Sequence, residues 1–204
     1  SSFYNVWDEN DVTNRTEQNL ADWRASYDFW TASKANRQIN WDRLYYSNQQ
    51  LAAQGKDAMY YIQAKNNDQL AFNLSSSLKT ELTKNSSLDL GIALSTTKGM
   101  HYQTMEDLLG ANIYHNINSY ALGTYPTGSD EVQYDMNNPN AEVREGDKFG
   151  YNYNILVDKA NAWATYKTNI KSVHAFVSGR VGATSMQRDG KMRNGLAKNN
   201  SYGK

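Results

Sequence analysis

Carboxylates and histidines are the residues in this chain with the most catalytic potential. Glu106/Asp107, Asp130/Glu131 and Glu142/Glu145 are closely spaced acids. A glycosidase needs two such carboxyls, one of them kept protonated by apolar surroundings. All three pairs fall in a polar stretch shared with Arg144 and Lys148, where no apolar run raises a carboxyl pKa. His101, His115 and His174 stand far apart and without thiol or paired acidic partners, so they lack zinc-ligand spacing. Asp8-Glu9-Asn10-Asp11 offers oxygens but neither the ligand spacing nor the turn glycine of a calcium loop, and reads as a solvated acidic turn. No nucleophile elbow, phosphate-binding loop or dinucleotide fingerprint occurs. Cysteine is absent, which removes thiolate ligands, thiol nucleophiles and disulfides together. The expectation is a protein that is not an enzyme, with no catalytic, cofactor or metal residues.

Contact chemistry is better represented. The chain has 15 Tyr and 5 Trp against 5 Phe, so its aromatics carry a polar handle. Trp23, Trp30, Trp41, Tyr45, Tyr102, Tyr114 and Tyr125, with Tyr46 and Tyr120 beside them, fall in stretches read as long loops. Such rings stack on sugars or on a protein partner, and they also pack loops against themselves. These are the candidate ligand or partner contacts. Lys+Arg and Asp+Glu both number 21, so net charge draws the chain toward no nucleic acid.

The elements that must hold these residues are strands. From Leu70 to Leu82 the even positions carry Leu70, Phe72, Leu74, Leu78 and Leu82, while Asn73, Ser75, Lys79 and Glu81 take odd ones. After Lys84-Asn85-Ser86-Ser87, Leu88, Leu90, Ile92 and Leu94 alternate with Asp89, Gly91, Ala93 and Ser95. A period of two puts the large apolar side chains on one face of a long antiparallel hairpin. Asn66-Asn67-Asp68-Gln69 reads as a turn or bulge before it, and Ala58, Tyr60, Ile62 and Ala64 as an earlier strand start. Alternation returns at Tyr151, Tyr153, Ile155 and Val157, then changes parity to Ala160, Ala162, Ala164 and Tyr166, which predicts a bulge near Asp158-Lys159. A turn at 168–171 leads to Val173, Ala175, Val177, Val181 and Ala183, with Phe176 off the pattern. Leu20, Trp23, Tyr27 and Trp30 predict helical turns within 17–34, and Thr104 to Leu109, stopped by Gly110, predicts a short helix. The organisation is loop 1–56, strands 57–98, loop 99–150, strands 151–186 and loop 187–204.

Strands of soluble domains usually run about 5–6 residues, whereas a tilted membrane-spanning strand needs roughly 9–11. Both ribs of the first hairpin reach that length. Mean hydropathy is −0.80, and no apolar run approaches a spanning helix. Long and short connections alternate, as in an outer-membrane barrel with short turns on one side and long loops on the other. The predicted fold is therefore all-β: an antiparallel up-and-down meander forming part of a large transmembrane β-barrel with long extracellular loops. Leu70, Phe72, Leu74, Leu78, Leu90, Ile92, Leu94, Val173, Val177 and Val181 would face lipid. Asn73, Ser75, Lys79, Asp89 and Arg180 would face the lumen. The alternative is a soluble β-sandwich glycan-binding module, in which a second sheet covers the apolar face.

Several stretches in order point the same way: Arg37-Gln38-Ile39-Asn40-Trp41-Asp42-Arg43-Leu44-Tyr45, Thr96 to Tyr102, Asp107-Leu108-Leu109-Gly110, Asn137-Asn138-Pro139-Asn140, Glu145 to Tyr151, and Arg188 to Gly195. Over roughly 35–204 the chain resembles the barrel of TonB-dependent outer-membrane receptors of the Bacteroidetes type. The resemblance implies an outer-membrane location, a barrel of about 22 strands with an N-terminal plug, TonB as energy donor, and a surface lipoprotein as a further partner. It implies uptake of a nutrient: an oligosaccharide, a peptide or a chelate. No plug or TonB box is present here, and the four to six strands legible in the sequence are too few to close such a barrel. The chain is accordingly expected to be a middle piece of a receptor rather than a complete protein.

Overall fold

The computed structural model describes residues 16–204. The acidic stretch Asp8-Glu9-Asn10-Asp11 lies outside the described residues. The chain divides into two units, one up to Leu44 and one from Tyr45 onward.

In the first unit, α1 (Glu17–Ala32) starts at Thr16, whose hydroxyl accepts the Asn19 N–H at 3.1 Å. That cap, with Leu20, Trp23, Tyr27 and Trp30 at helical spacing, accounts for the helix anticipated within 17–34. A short 3₁₀ turn follows at Ala35–Arg37. The second helix, α2 (Trp41–Ala52), whose residues from Tyr45 onward belong to the second unit, corrects the reading of 1–56 as loop. Asn40 caps it, its Oδ1 accepting the Arg43 N–H at 3.0 Å. Its polar composition hid it: the most buried position is taken by Asn48, where a pattern search looks for a leucine.

The second unit is built on one four-stranded antiparallel sheet in the order β1-β2-β5-β6. The strands are β1 (Ile62–Thr83), β2 (Ser86–Asp107), β5 (Lys148–Ile170) and β6 (Val173–Gly190), each of 18–23 residues. Two-residue turns, Lys84-Asn85 and Lys171-Ser172, join the hairpins, shorter than the 84–87 and 168–171 anticipated. Asn169 donates its N–H to the Asn85 carbonyl at 2.8 Å, tying the two turns together at one end. At the other end the 108–147 connection carries a second, two-stranded sheet, β3 (Tyr114–His115) and β4 (Glu142–Val143).

Strand boundaries depart from expectation wherever polar residues continue a ladder. Asn66 to Gln69 form no turn, because they pair without a break with Tyr102 to Gly99. Residues 99–107 and 148–150, taken as loop, extend β2 and β5, and 187–190 extend β6. Thr104 to Asp107 are strand rather than helix. Met105 exchanges hydrogen bonds with Asp147 and Gly146, and its side chain is fully buried. Core burial outweighs the local helix-start signal. Leu109 (φ 49°) and Gly110 (φ 80°) then turn the chain.

No bulge occurs at Asp158-Lys159, where Val157, Asp158 and Lys159 pair in register with Thr97, Thr96 and Ser95. The parity change is an exchange of faces: Ile155 and Val157 lie opposite to Ala160 and Ala162. Register shifts fall elsewhere, at Glu106, Leu82 and Gly150-Tyr151.

Candidate functional site

Three surfaces of the second unit bear on function. The first is the apolar face. Cross-strand partners share a face, and the register aligns Leu74, Leu94, Ala160 and Ala183 in one row, and Leu78, Leu90, Ala164 and Gly179 in another. From Leu70 to Leu82, Leu88 to Thr96, Ala160 to Ile170 and Val173 to Ala183, this face holds no charged side chain. Lys98 and Asp158 mark its margin toward the long loops. Leu70, Phe72 and Val181 are 68%, 63% and 71% exposed, and no second sheet covers the band among the described residues. Single exposed leucines are ordinary on a protein surface; a continuous four-strand apolar band is not.

The opposite face is mostly polar, with short side chains on β1 and β2 and larger ones, among them Trp163, Val157, Ile155 and Met186, on β5 and β6. It carries Asn73, Ser75, Lys79, Asp89 and Arg180, as the alternation predicted. Lys167 pairs with Asp89 at 2.5 Å, and Arg180 donates to Asn161 Oδ1 at 2.8 Å. Trp163 lies across Gly91, where any Cβ would overlap the indole. Phe176, off the sequence pattern, also belongs to this face, opposite Lys167 and near the turns.

The third surface is the loop cap at the far end. Its core is Ala58, Met105, Leu108, Tyr114, Val143 and Phe149. Asn48, with no exposed surface, donates to the carbonyls of Tyr60 (2.7 Å) and Leu108 (2.8 Å) and accepts the N–H groups of Met59 (3.0 Å) and Tyr60 (3.2 Å). It thereby fastens α2 to the strand entry and to the turn after β2. Asp57 holds β3 through the N–H and the Nδ1 of His115, at 3.0 and 2.7 Å. The last segment belongs to the same body. Asp135 accepts the Arg193 N–H at 3.0 Å, and Gly195 donates to the Gln133 carbonyl at 2.9 Å. Lys198 bridges Asp130 (3.2 Å) and Glu131 (3.0 Å). Gly195 sits so close to the Asp130 carbonyl that no Cβ fits.

The aromatic candidates scatter rather than converge. Trp23 stacks on Tyr27 at 5.4 Å and Trp30 meets Phe29 edge-on at 5.3 Å, both on α1. Trp41 opens α2 and is exposed, while Tyr45 reaches Asp107 at 3.5 Å. Tyr102 is on β2 rather than in a loop, donating to Asp68 at 2.7 Å with Lys148 over its ring. Tyr114 is corrected outright. It is buried against Tyr61 and Phe149, and burial pushes its phenol above the ordinary tyrosine range, so it offers no contact surface. Tyr125 and, above all, Tyr120 (90% exposed) stand free on the 108–147 connection. Exposure could have ranked these tyrosines, but periodicity carries no signal for it.

The acid pairs are engaged in structure. Glu106 accepts from Thr104 (2.6 Å), Asp107 from the Leu109 N–H (2.6 Å), and Glu145 from the Leu108 N–H (3.2 Å). His101 and His174 each contact an asparagine. No three His, Asp or Glu groups converge as metal ligands among the described residues. No described helix is long and apolar enough to cross a membrane, which leaves spanning by strands open. No protein-family model matches the chain, and no curated protein matches it.

Proposed function

We propose that this chain is a stretch of wall, with its outer loops, of a large outer-membrane β-barrel: a TonB-dependent type of receptor that takes up a nutrient. The supporting observation is the uncharged, uncovered apolar band on a meander whose two-residue turns all lie at one end. At about 3.4 Å per residue, Leu70 to Leu82 rises roughly 40 Å. A tilt of about 45° reduces this to roughly 29 Å, close to the ~30 Å hydrocarbon core. Edges of β1 and β6 continue into further strands of the wall, since an open edge leaves backbone groups unsatisfied in lipid. In this reading a plug fills the lumen, TonB energises it, and the loop cap faces outward toward nutrient or a surface lipoprotein. The chain's own part is to form wall and mouth; it performs no catalysis.

Bromine-labelled acyl chains test the reading. In reconstituted vesicles, fluorescence of Leu74→Trp should be quenched strongly and that of Asn73→Trp weakly. Equal quenching of both, or a monodisperse monomer without detergent that binds neutral glycans in calorimetry, would favour the soluble sandwich instead.

A further inference from the structure

The polar face has a charge pattern that the net charge of zero conceals. Near the two-residue turns its charges balance, with Lys79 and Lys167 against Glu81 and Asp89. From the level of Ser77 to that of Lys65 the face carries Arg180, Lys159, Arg188 and Lys65, and no carboxylate. None of these four takes part in an ion pair among the described residues: Arg180 is held by Asn161, and Arg188 by the Ser201 carbonyl at 2.7 Å and the Tyr153 ring. All four side chains are exposed. Between them the wall carries short side chains on β1 and β2, such as Asn73, Ser75, Ala93 and Ser95, and the larger Val157, Ile155, Tyr153 and Met186 on β5 and β6.

We infer that this face is a cation track for an anionic solute, one bearing carboxylate, sulfate or phosphate groups, drawn from the loop cap along the strands. The inference rests on the barrel reading, which makes this face the lumen wall. Charged side chains lining a lumen tune its selectivity, and a surface of one sign raises the local concentration of opposite charge. An acidic protein segment is the lesser fit. Docking surfaces are anchored by large buried aromatic or apolar side chains, whereas Trp163 here covers Gly91 and, of the apolar side chains beside the cations, Met186 alone is largely exposed, with Val157 and Ile155 half-buried. Exposed cations stay hydrated and release what they attract.

Trp163 and Arg180 are register partners, so the indole reports on the track. In the reconstituted receptor barrel that carries this stretch, with Trp163 left as its sole tryptophan, emission should respond saturably to tetragalacturonate. It should not respond to neutral maltotetraose, and the response should weaken as salt is raised. K159Q/R180Q should weaken the apparent Kd by about tenfold, while K159R/R180K should restore it and so separate charge from folding. Equal responses to the two sugars, no response to the anion, salt independence, or response to a poly-glutamate peptide alone would overturn the inference. Flotation of the same vesicles is read separately. A receptor that floats but ignores the anion refutes only the track, and one that binds the anion without inserting refutes the barrel reading.

Discussion

Asn48 shows how one polar side chain can organise a loop region. Its amide is matched on both its donor and acceptor sides by backbone groups from two other segments. Replacing it by Ala strands those groups without water. Asn48→Ala should therefore lower stability by about 2–3 kcal/mol, read as a shift of the denaturant midpoint in detergent. Asn48→Asp should also destabilise, because a carboxylate cannot donate to the Tyr60 and Leu108 carbonyls. Tyr114 gives the complementary lesson. Sequence alone placed it among contact residues because its neighbours lack alternation, whereas the fold uses its ring as core and leaves Tyr120 outside. Which tyrosine is inside depends on β3 packing under Phe149, a long-range contact that local spacing does not encode.

At the scale of the element, the long strands were legible because alternation is a local property that pairing merely copies. Their ends were not, because the polar ladders of Asn66 to Gln69 and of Thr104 to Asp107 carry no apolar period. The face assignment makes a sharp prediction. Leu74→Arg should cost about 2–4 kcal/mol in a bilayer if this face meets lipid near the midplane. Asn73→Arg, one residue away on the polar face, should be close to neutral. Refolding titrations of both variants into vesicles would measure the difference, and equal effects would break the face assignment. In β5 the same logic explains the parity change. Beyond Ala160 the strand leaves the apolar band, so Ile155 and Val157 are free to lie on the other side.

Across the whole molecule, two segments read as separate loops form one cap. Lys198 reaches Asp130 and Glu131 from 67–68 residues away in the chain. A hydrogen bond from its own backbone, and then Lys198, hold the Glu131 carboxyl below the ordinary carboxylate range. Glu131 and Asp130 hold the Lys198 ammonium above its ordinary range. A lowered carboxyl favours the docked state fully above its unfolded pKa, and that contribution is lost as pH falls through the folded one. A raised ammonium contributes below its unfolded pKa and loses its effect as pH rises through the folded one. Amide exchange in 195–203 should thus be slow near neutrality, once corrected for intrinsic rates, and should quicken on acidification below the carboxylate range. Lys198→Met should remove most of that pH dependence, and an unchanged profile in the variant would show that backbone contacts alone hold the segment.

The sequence by itself determined the antiparallel meander, the hairpin order and the side of the ribbon that the leucines of the first hairpin take, because a period of two commits every side chain in a strand at once. The helical turns of α1 were legible for the same local reason. Tertiary structure alone decided where the strands end, that α2 exists, and that 108–147 and 191–204 fold together. Those outcomes rest on buried Asn48 and Met105 and on Gly195 against Asp130, contacts between residues far apart in the chain. The four-cation run on the polar face likewise needed the register, since only pairing brings Lys65, Lys159, Arg180 and Arg188 onto one side of one sheet.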